Sequence, residues 1–264
     1  MNSPFDILLE PSKKENTHLS KVMLIEKFGR YSIGQGKRPN IQHDNGFLDK
    51  SPSREPTLAE RASLVKWKTM LEGSEALCTN KTGDYIEKCG GDLVDANAAY
   101  RHFLYGNGKD RSLDYERYIQ NDSSGQSLIK TVLAEFQLDV ERIGKDRLKF
   151  SVVSEPYKID INSDLPYPAT TNWQKTIGAH YIWVSADVTV SVNAEKRIVY
   201  DAHLIIHMED KYNFNPGSKD IKTKIADKEN GVFEITGLAK QYMNFGVANR
   251  HITWVDRARV NTPK

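Results

Sequence analysis

The chain has 264 residues, of which 39% are hydrophobic and 27% are charged, a composition that is ordinary for a globular protein and excludes wholesale disorder. Its formal net charge is only +2 at pH 7. That near-neutral balance argues against the strongly basic face of a nucleic-acid-binding protein, so we expect no nucleic-acid partner. No run approaches the ~18 consecutive apolar residues that a membrane-spanning helix needs.

The N-terminal residues lack the basic region and apolar run of a secretory signal peptide. We therefore expect the chain to be made in the cytoplasm and to leave the cell by lysis or through a dedicated secretion apparatus. Cys78 and Cys89 are too few for a disulfide scaffold in a chain of this length. Two free thiols and one loop-closing disulfide both fit their spacing. No zinc-ligand spacing lies nearby, and the sequence names no cofactor.

The first half of the chain divides into a leader and a helical part. Residues 1–56 predict an irregular leader, because prolines and glycines interrupt them throughout. Residues 57–145 predict a helical domain that opens with a capping box formed by Thr57 and Glu60. Its clearest helix follows a cap at Ser123 or Ser124, carries an apolar stripe with a period of about 3.6 residues, and ends at Gly144.

The second half of the chain, residues 146–264, changes to a two-residue period. Apolar and polar residues alternate over 181–192 and again over 198–209, and a short polar turn at 193–196 separates the two runs. This pattern predicts an antiparallel hairpin with one buried and one solvated face. Residues 250–255 predict a third strand. The predicted fold class is therefore α+β, with an N-terminal helical domain followed by an antiparallel β-sheet domain built on a long hairpin.

The polar face of this hairpin is the first candidate site. A register that sets residue 190 opposite residue 200 places Asp187 opposite His203 and Trp183 opposite His207, and an Asp–His pair is suited to act as an oriented base. Residues i and i+4 of a strand lie ~13 Å apart, so we do not expect His203 and His207 to bind one metal together. The alternative is a solvated face with ordinary cross-strand pairs.

The loop after the second strand is the second candidate site. It is polar and contains Asn, Pro and Gly, and loops held by a rigid sheet commonly carry catalysis. Asp210 is suited to act as a general acid or base, Tyr212 and Asn213 to orient a substrate, and Lys219 to bind a phosphate. His207, on the strand before the loop, completes the candidate catalytic set. The alternative is a structural loop whose Asp and Asn side chains bond their own backbone.

The stretch Asp210-Lys211-Tyr212-Asn213-Phe214-Asn215 resembles the Asp-x-Tyr-Asp loop of the colicin M-type bacteriocins, which also follows a strand. The resemblance implies cleavage of the lipid II phosphodiester on the periplasmic side of a target cell. Asp210 and Tyr212 match the family pattern. Asn213 stands where the family has a carboxylate, and Lys219-Asp220 occupies the vicinity of its His-Arg pair.

Residues 173–254 also resemble, more broadly, the C-terminal toxin modules of bacterial polymorphic toxins and type VI secretion effectors. The segments that carry this resemblance are Ile177-Gly178-Ala179-His180, residues 210–217, residues 227–234 and Gly237-Leu238-Ala239. It implies delivery into a competitor, with a cognate immunity protein and a secretion-apparatus component as partners. We therefore expect an antibacterial effector that acts in the target periplasm on a lipid-linked peptidoglycan precursor.

Two other functions stay open from the residues alone. One is a non-enzymatic toxin that disrupts the membrane surface, for which residues 235–245 are the candidate segment, as a short helix capped by Thr236. The other is a structural or binding component of a secretion or phage-like particle. The sequence contains no Gly-x-Ser-x-Gly, His-Glu-x-x-His or Walker pattern, which disfavours familiar serine-hydrolase and zinc-protease chemistry.

Overall fold

A computed structural model of the chain describes residues 29–76, 93–144, 146–220 and 224–256. Within these ranges six α-helices and one seven-stranded sheet are present, so the predicted α+β class is confirmed. The elements in chain order are β1 (Tyr31–Ile33), a 3₁₀ helix (Gly46–Asp49), α1 (Leu58–Ala76), α2 (Val94–Tyr105), β2 (Arg111–Ser112), α3 (Tyr115–Asn121), α4 (Ser123–Ile143), β3 (Lys149–Ser154), β4 (Tyr157–Ile159), α5 (Thr171–Thr176), β5 (His180–Val192), β6 (Ile198–Tyr212), α6 (Lys228–Ile235) and β7 (Tyr242–Val255). The question of a disulfide between Cys78 and Cys89 falls outside the described residues. None of the described helices has the length and apolarity to cross a bilayer.

The sheet is built around the predicted hairpin. Its strand order is β1-β3-β5-β6-β7-β2, with β4 also paired to β5, and every pairing is antiparallel except that of β2 with β7. The predicted register of the hairpin is confirmed, since Asp187 lies opposite His203 and Trp183 opposite His207. The predicted third strand is the C-terminal half of β7.

The short helix predicted for residues 235–245 is wrong. Helix α6 ends at Ile235, and Thr236 is its C-terminal cap, with the Thr236 hydroxyl donating to the carbonyl oxygen of Val232 at 2.7 Å. Gly237, with a φ of 67°, turns the chain out of the helix. From Tyr242 onward buried and exposed positions alternate, as the pleat of a strand requires. The segment that was the candidate for lying on a membrane is therefore in part a strand of the central sheet.

Helix α4 is anchored by a buried carboxylate. Its N-cap is Asp122, one residue before the predicted cap, and the Asp122 side chain accepts from the Ser124 amide at 2.9 Å and from the Ala169 and Thr170 amides at 3.1 and 2.9 Å. Burial disfavours the charged form of Asp122, but the hydrogen bonds from Ser124, Thr170 and Ala169 outweigh it and hold the pKa of this carboxyl below its usual value. Asp122 therefore joins the start of α4 to the segment that leads into α5.

Two apolar clusters hold the described residues together. The larger one packs the predicted stripe of α4, including Val132, Phe136 and Val140, against the buried face of β5 and β6. Each of these three side chains is completely buried, which stabilises the fold by about 1.5–3 kcal/mol per side chain. The smaller cluster joins α1, α2, α6 and the start of β7, and Tyr212 and Phe214 pack against it. The division into a helical domain over 57–145 and a β domain over 146–264 stays a prediction.

The capping box predicted for the first helix is confirmed. The Glu60 amide donates to the Thr57 hydroxyl at 3.2 Å, and the Thr57 amide donates to the Glu60 carboxylate at 2.8 Å. Reciprocal bonds of this kind satisfy two backbone donors that a helix start otherwise leaves open.

Candidate functional site

Three of the predicted catalytic residues, His207, Asp210 and Tyr212, lie near the end of strand β6. They are divided between the two faces of the sheet. Side chains alternate along a strand, so Asp210 and Tyr212 share the face of the buried Met208, whereas His207 and Glu209 lie on the opposite face. Asn213 follows the last residue of the strand, and Lys219 lies farther along the loop. The structure thus places Asp210 beside Tyr212 and separates both from His207 by the thickness of the sheet.

Asp210 is a buried carboxyl with one amide partner. The residue is only 6% exposed. Asn244 lies directly opposite it on β7 and donates from Nδ2 to Asp210 Oδ2 at 3.0 Å. Burial raises the pKa of Asp210 to about 8; the hydrogen bond from Asn244 partly offsets this, and the negative charge of Asp44 adds to it. Near neutral pH Asp210 is therefore mostly protonated and able to donate a proton.

Arg111 extends this arrangement toward a positive charge. Strand β2 runs parallel to β7 and sets Arg111 opposite Asn244, and Arg111 Nη1 donates to Asn244 Oδ1 at 3.3 Å. The result is a hydrogen-bonded series that runs from the Arg111 guanidinium to the Asn244 amide and on to the Asp210 carboxyl. No sequence pattern predicts this hydrogen-bonded series, because β2 is only two residues long and because Arg111 and Asn244 are 133 positions apart.

Tyr212 is held by aromatic contacts. Its ring stacks on Tyr242 with centroids 5.1 Å apart and lies 6.0 Å from Phe103. Burial raises the pKa of Tyr212, and the charge of Asp210 adds to the effect, so the side chain is a neutral phenol at physiological pH. Tyr212 is therefore a fixed hydrogen-bond donor beside Asp210.

The described part of the leader is fastened to the candidate loop. Asn213 Nδ2 donates to Asp44 Oδ1 at 2.9 Å and to the Asp44 carbonyl oxygen at 3.0 Å, and Lys211 Nζ donates to the Asn45 side chain. The Phe47 amide donates to the Phe214 carbonyl oxygen at 3.2 Å. Asn213 thus brings the Asp44 carboxylate to the loop, although its own side chain carries no charge.

An ion pair between a half-exposed arginine and a buried carboxylate joins the leader to β6 one residue before Asp210. Glu209 is 2% exposed, and Arg38 donates to it from Nε at 2.7 Å and from Nη2 at 2.6 Å. His43 Nε2 lies 2.9 Å from the same carboxylate. Burial opposes ionisation of Glu209, but hydrogen bonds from His43 and Arg38 keep the pKa of Glu209 below its usual value. Sequence reasoning missed this pairing, because Arg38 and His43 lie in the segment interpreted as irregular.

Carboxyls of the α6 region hold the backbone of the loop. Glu234 Oε1 accepts from the Phe214 amide at 3.0 Å, and Asp227 Oδ2 accepts from the Asn215 amide at 3.0 Å. Burial raises the pKa of Glu234 to about 8, and the charges of Asp227 and Asp44 contribute to the shift while that of Lys211 opposes it. The loop is therefore fixed by partners from another element, so its conformation does not depend on Asx bonds within the loop alone.

The remaining two predicted residues lie away from Asp210. His207 stacks on Trp183 with centroids 3.7 Å apart, and its Nε2 lies 3.0 Å from the Ser185 hydroxyl. Burial lowers the pKa of His207, so the ring is neutral at pH 7. Lys219 is exposed on the loop, where its backbone forms an isolated bridge with Ala226.

A shallow cavity opens between the 3₁₀ helix and α6. Its volume is about 330 Å³. The lining residues are Phe47, Ser51, Pro52, Arg54, Lys228, Val232 and Ile235. Apolar side chains make up most of this lining, together with Lys228 and with Arg54, whose guanidinium is paired with the Glu60 carboxylate. The hydrogen bond between Phe47 and Phe214 connects this cavity to the candidate loop.

Comparisons with known proteins give structural likenesses at low similarity. No family model matches the chain, and no curated protein matches it in sequence. The chain is similar to the structure of PaeM, a colicin M-like bacteriocin produced by Pseudomonas aeruginosa, with 13% identity and a TM-score of 0.39, over 64% of this chain and 54% of that chain. It is similar to a truncated syringacin M from Pseudomonas syringae pv. tomato DC3000, with 14% identity and a TM-score of 0.34, over 63% of this chain and 61% of that one. It is also similar to pectocin M2, with 15% identity and a TM-score of 0.33, over 81% of this chain and 67% of that one. The chain thus matches about half of the length of PaeM, and likenesses of this size do not decide an activity.

Proposed function

We propose that the chain is an antibacterial toxin that acts at the envelope of a target cell and hydrolyses the phosphodiester of a lipid-linked peptidoglycan precursor. The observation that carries the proposal is the protonated, buried Asp210 at the end of β6, linked through Asn244 to the guanidinium of Arg111. The resemblance of residues 210–215 to the colicin M-type loop supports the choice of substrate.

The roles of the residues follow from their charge and protonation. Hydrolysis of a phosphodiester needs a base to take a proton from the attacking water and an acid to protonate the leaving oxygen as its bond to phosphorus breaks. Asp210 is suited to be the acid because its pKa is about 8. Asp44, oriented by Asn213, is suited to be the base. Arg111 balances the negative charge that develops on the phosphate.

The other predicted site residues take supporting roles. Tyr212, a neutral phenol, donates a hydrogen bond to a phosphate oxygen, and Lys219 on the exposed loop binds the second phosphate of a pyrophosphate link. His207 lies on the opposite face of the sheet from Asp210. We therefore assign it a role in positioning strand β6 beneath the leader. The cavity beside Phe47 receives the apolar chain of the substrate, with Lys228 near its phosphates.

Delivery and self-protection follow from this activity. A toxin that cleaves a precursor on the periplasmic side must leave its producer by lysis or through a secretion apparatus. The producer needs a cognate immunity protein if its own periplasm is exposed to the toxin. Both partners are part of the proposal.

The experiment is expression in a bacterial host with and without an added periplasmic signal peptide. We expect killing by lysis only in the periplasm, and we expect Asp210→Asn to abolish it. The matched control is Asp146→Asn, the same change at an exposed aspartate, which should still kill. Retained killing by Asp210→Asn would remove the proposal.

The same experiment separates the alternatives. Loss of membrane potential before any cell-wall defect, together with tolerance of Asp210→Asn, identifies a membrane-disrupting toxin. Absence of toxicity from both compartments identifies a structural or binding component. Purified protein incubated with lipid-linked precursor should release a phosphorylated headgroup, which thin-layer chromatography detects.

A further inference from the structure

A second group of polar side chains lies at the other end of the hairpin, near the turn between β5 and β6. It consists of Asp201, His203 and His251. Asp201 precedes Asp210 by nine positions on the same strand, which corresponds to about 30 Å. The group is therefore remote from the candidate catalytic loop and takes no part in the proposed function.

The register of β6 and β7 brings the three side chains together. His203 lies directly opposite His251, and their rings stack with centroids 4.0 Å apart and an interplanar angle of 10°. Asp201 is two positions earlier than His203 and therefore points to the same face. Its Oδ2 lies 3.0 Å from His251 Nε2, and its Oδ1 lies 3.8 Å from His203 Nε2.

A fourth residue orients the carboxylate. Thr253 lies opposite Asp201 and donates from its hydroxyl to Asp201 Oδ2 at 2.9 Å. Hydrogen bonds of this kind commonly fix the direction of a metal-binding carboxylate. On the neighbouring strand Asp187 faces His203, and its carboxylate accepts from the Ser151 hydroxyl.

We propose that Asp201, His203 and His251 bind a first-row transition metal ion, and that Zn²⁺ is the ion that fits them best. Two imidazoles and one carboxylate are ligands that zinc takes, with a fourth position left to water. Mg²⁺ and Ca²⁺ prefer oxygen ligands throughout, so two imidazole ligands select against them.

The geometry requires only a small adjustment. One ligand atom from each residue lies within 4.8 Å of the others, and the ligand atoms of a tetrahedral zinc site lie about 3.3 Å apart. The side chains of His203 and His251 are 69% and 56% exposed. Both rings can therefore turn toward a shared ion, and the contact that changes is the stacking between them. The bound ion would cross-link β6 to β7.

The test is a calorimetric titration of the full-length chain, freed of any polyhistidine tag, with zinc chloride. We expect one equivalent of Zn²⁺ to bind. His203→Gln and His251→Gln should each weaken binding at least tenfold, and Thr253→Val should weaken it about tenfold, as loss of an outer partner does. His207→Gln is the matched control, since it makes the same change on the same strand outside the cluster, and it should bind as the unaltered chain does.

Two further measurements keep the test decisive. The titration is repeated with Cys78→Ser and Cys89→Ser, because thiolates also bind zinc. At a free zinc concentration of 100 times Kd, the unfolding midpoint of this chain should rise by about 5–10 °C, and that of Asp201→Asn should not. Absence of zinc binding, or binding that survives both histidine substitutions, would overturn the proposal.

Discussion

Asn244 and Asp210 face each other across β6 and β7 and share a hydrogen bond of 3.0 Å in which the amide donates to the carboxyl. Asn244 is completely buried, and its amide oxygen accepts from Arg111 at 3.3 Å. A single buried amide therefore lies between the guanidinium of Arg111 and a carboxyl that is only 6% exposed. The protonation that we assign to Asp210 comes from its burial, and the hydrogen bond from Asn244 partly offsets that effect.

Asn244→Leu should lower the free energy of unfolding of the protein. The substitution removes the donor to Asp210 and the acceptor of Arg111, and an unpaired buried polar group costs about 1–3 kcal/mol. We expect the free energy of unfolding, measured by urea titration, to fall by that amount. Asn249→Leu is the control, because Asn249 is exposed on the same strand. Equal losses in the two variants would contradict a special role for Asn244.

The contribution of Asp210 to the stability of the protein should fall as pH rises from about 4 to about 8, while the buried His180, whose pKa is lowered to about 4, acts in the opposite direction below about pH 6.5. In the folded state the pKa of Asp210 is raised from 3.8 to about 8, so the fold favours the protonated form. The stabilisation is complete below the ordinary pKa and is lost as pH rises through the folded pKa, by a total on the order of 5 kcal/mol. Glu234, whose pKa is also raised to about 8, acts in the same direction.

Asp210→Asn tests this origin, because an amide resembles the protonated carboxyl and does not ionise. Urea titrations at pH 5 and pH 8 should give a smaller difference for Asp210→Asn than for the unaltered chain. Asp146→Asn should leave the difference unchanged. An unaltered pH dependence in Asp210→Asn would show that the carboxyl is charged in the folded protein.

Hydrolysis of the precursor should decline above about pH 8. A general acid works only while it holds its proton, and the pKa of Asp210 is about 8. The initial rate with purified precursor, measured from pH 6 to pH 10, should follow an alkaline limb near that value. A rate that stays constant to pH 10 would contradict the assignment of Asp210 as the acid.

The hairpin illustrates what could be predicted from the residues alone. Its alternation of apolar and polar residues is set by local chemistry and predicts which residues share a face, and the short polar turn restricts the register to one such as that which pairs Asp187 with His203. The capping box of Thr57 and Glu60 is local in the same way. Patterns that repeat within a few residues can be recognised from the sequence alone.

The surroundings of Asp210 were beyond sequence reasoning for the opposite reason. Arg111 comes from a two-residue strand, and Asp44 comes from the leader 169 positions before Asn213. Such contacts are created by the assembly of the sheet, and the residue types involved are common on any surface. The rule of alternation also explains why His207 and Asp210 do not share a site, since three positions along a strand place two side chains on opposite faces.

Gly46→Ala should loosen the leader from the candidate loop. Gly46 has a φ of 54°, which disfavours side chains, and a Cβ at this position would overlap the carbonyl oxygen of Phe214. We expect a loss of about 1–3 kcal/mol in the free energy of unfolding. We also expect a loss of killing, because the Asp44 carboxylate moves away from Asp210. Gly29→Ala is the matched control, since nothing lies within 4 Å of a Cβ at that position. Full killing by Gly46→Ala would show that the leader serves only stability and would remove Asp44 from the proposed mechanism.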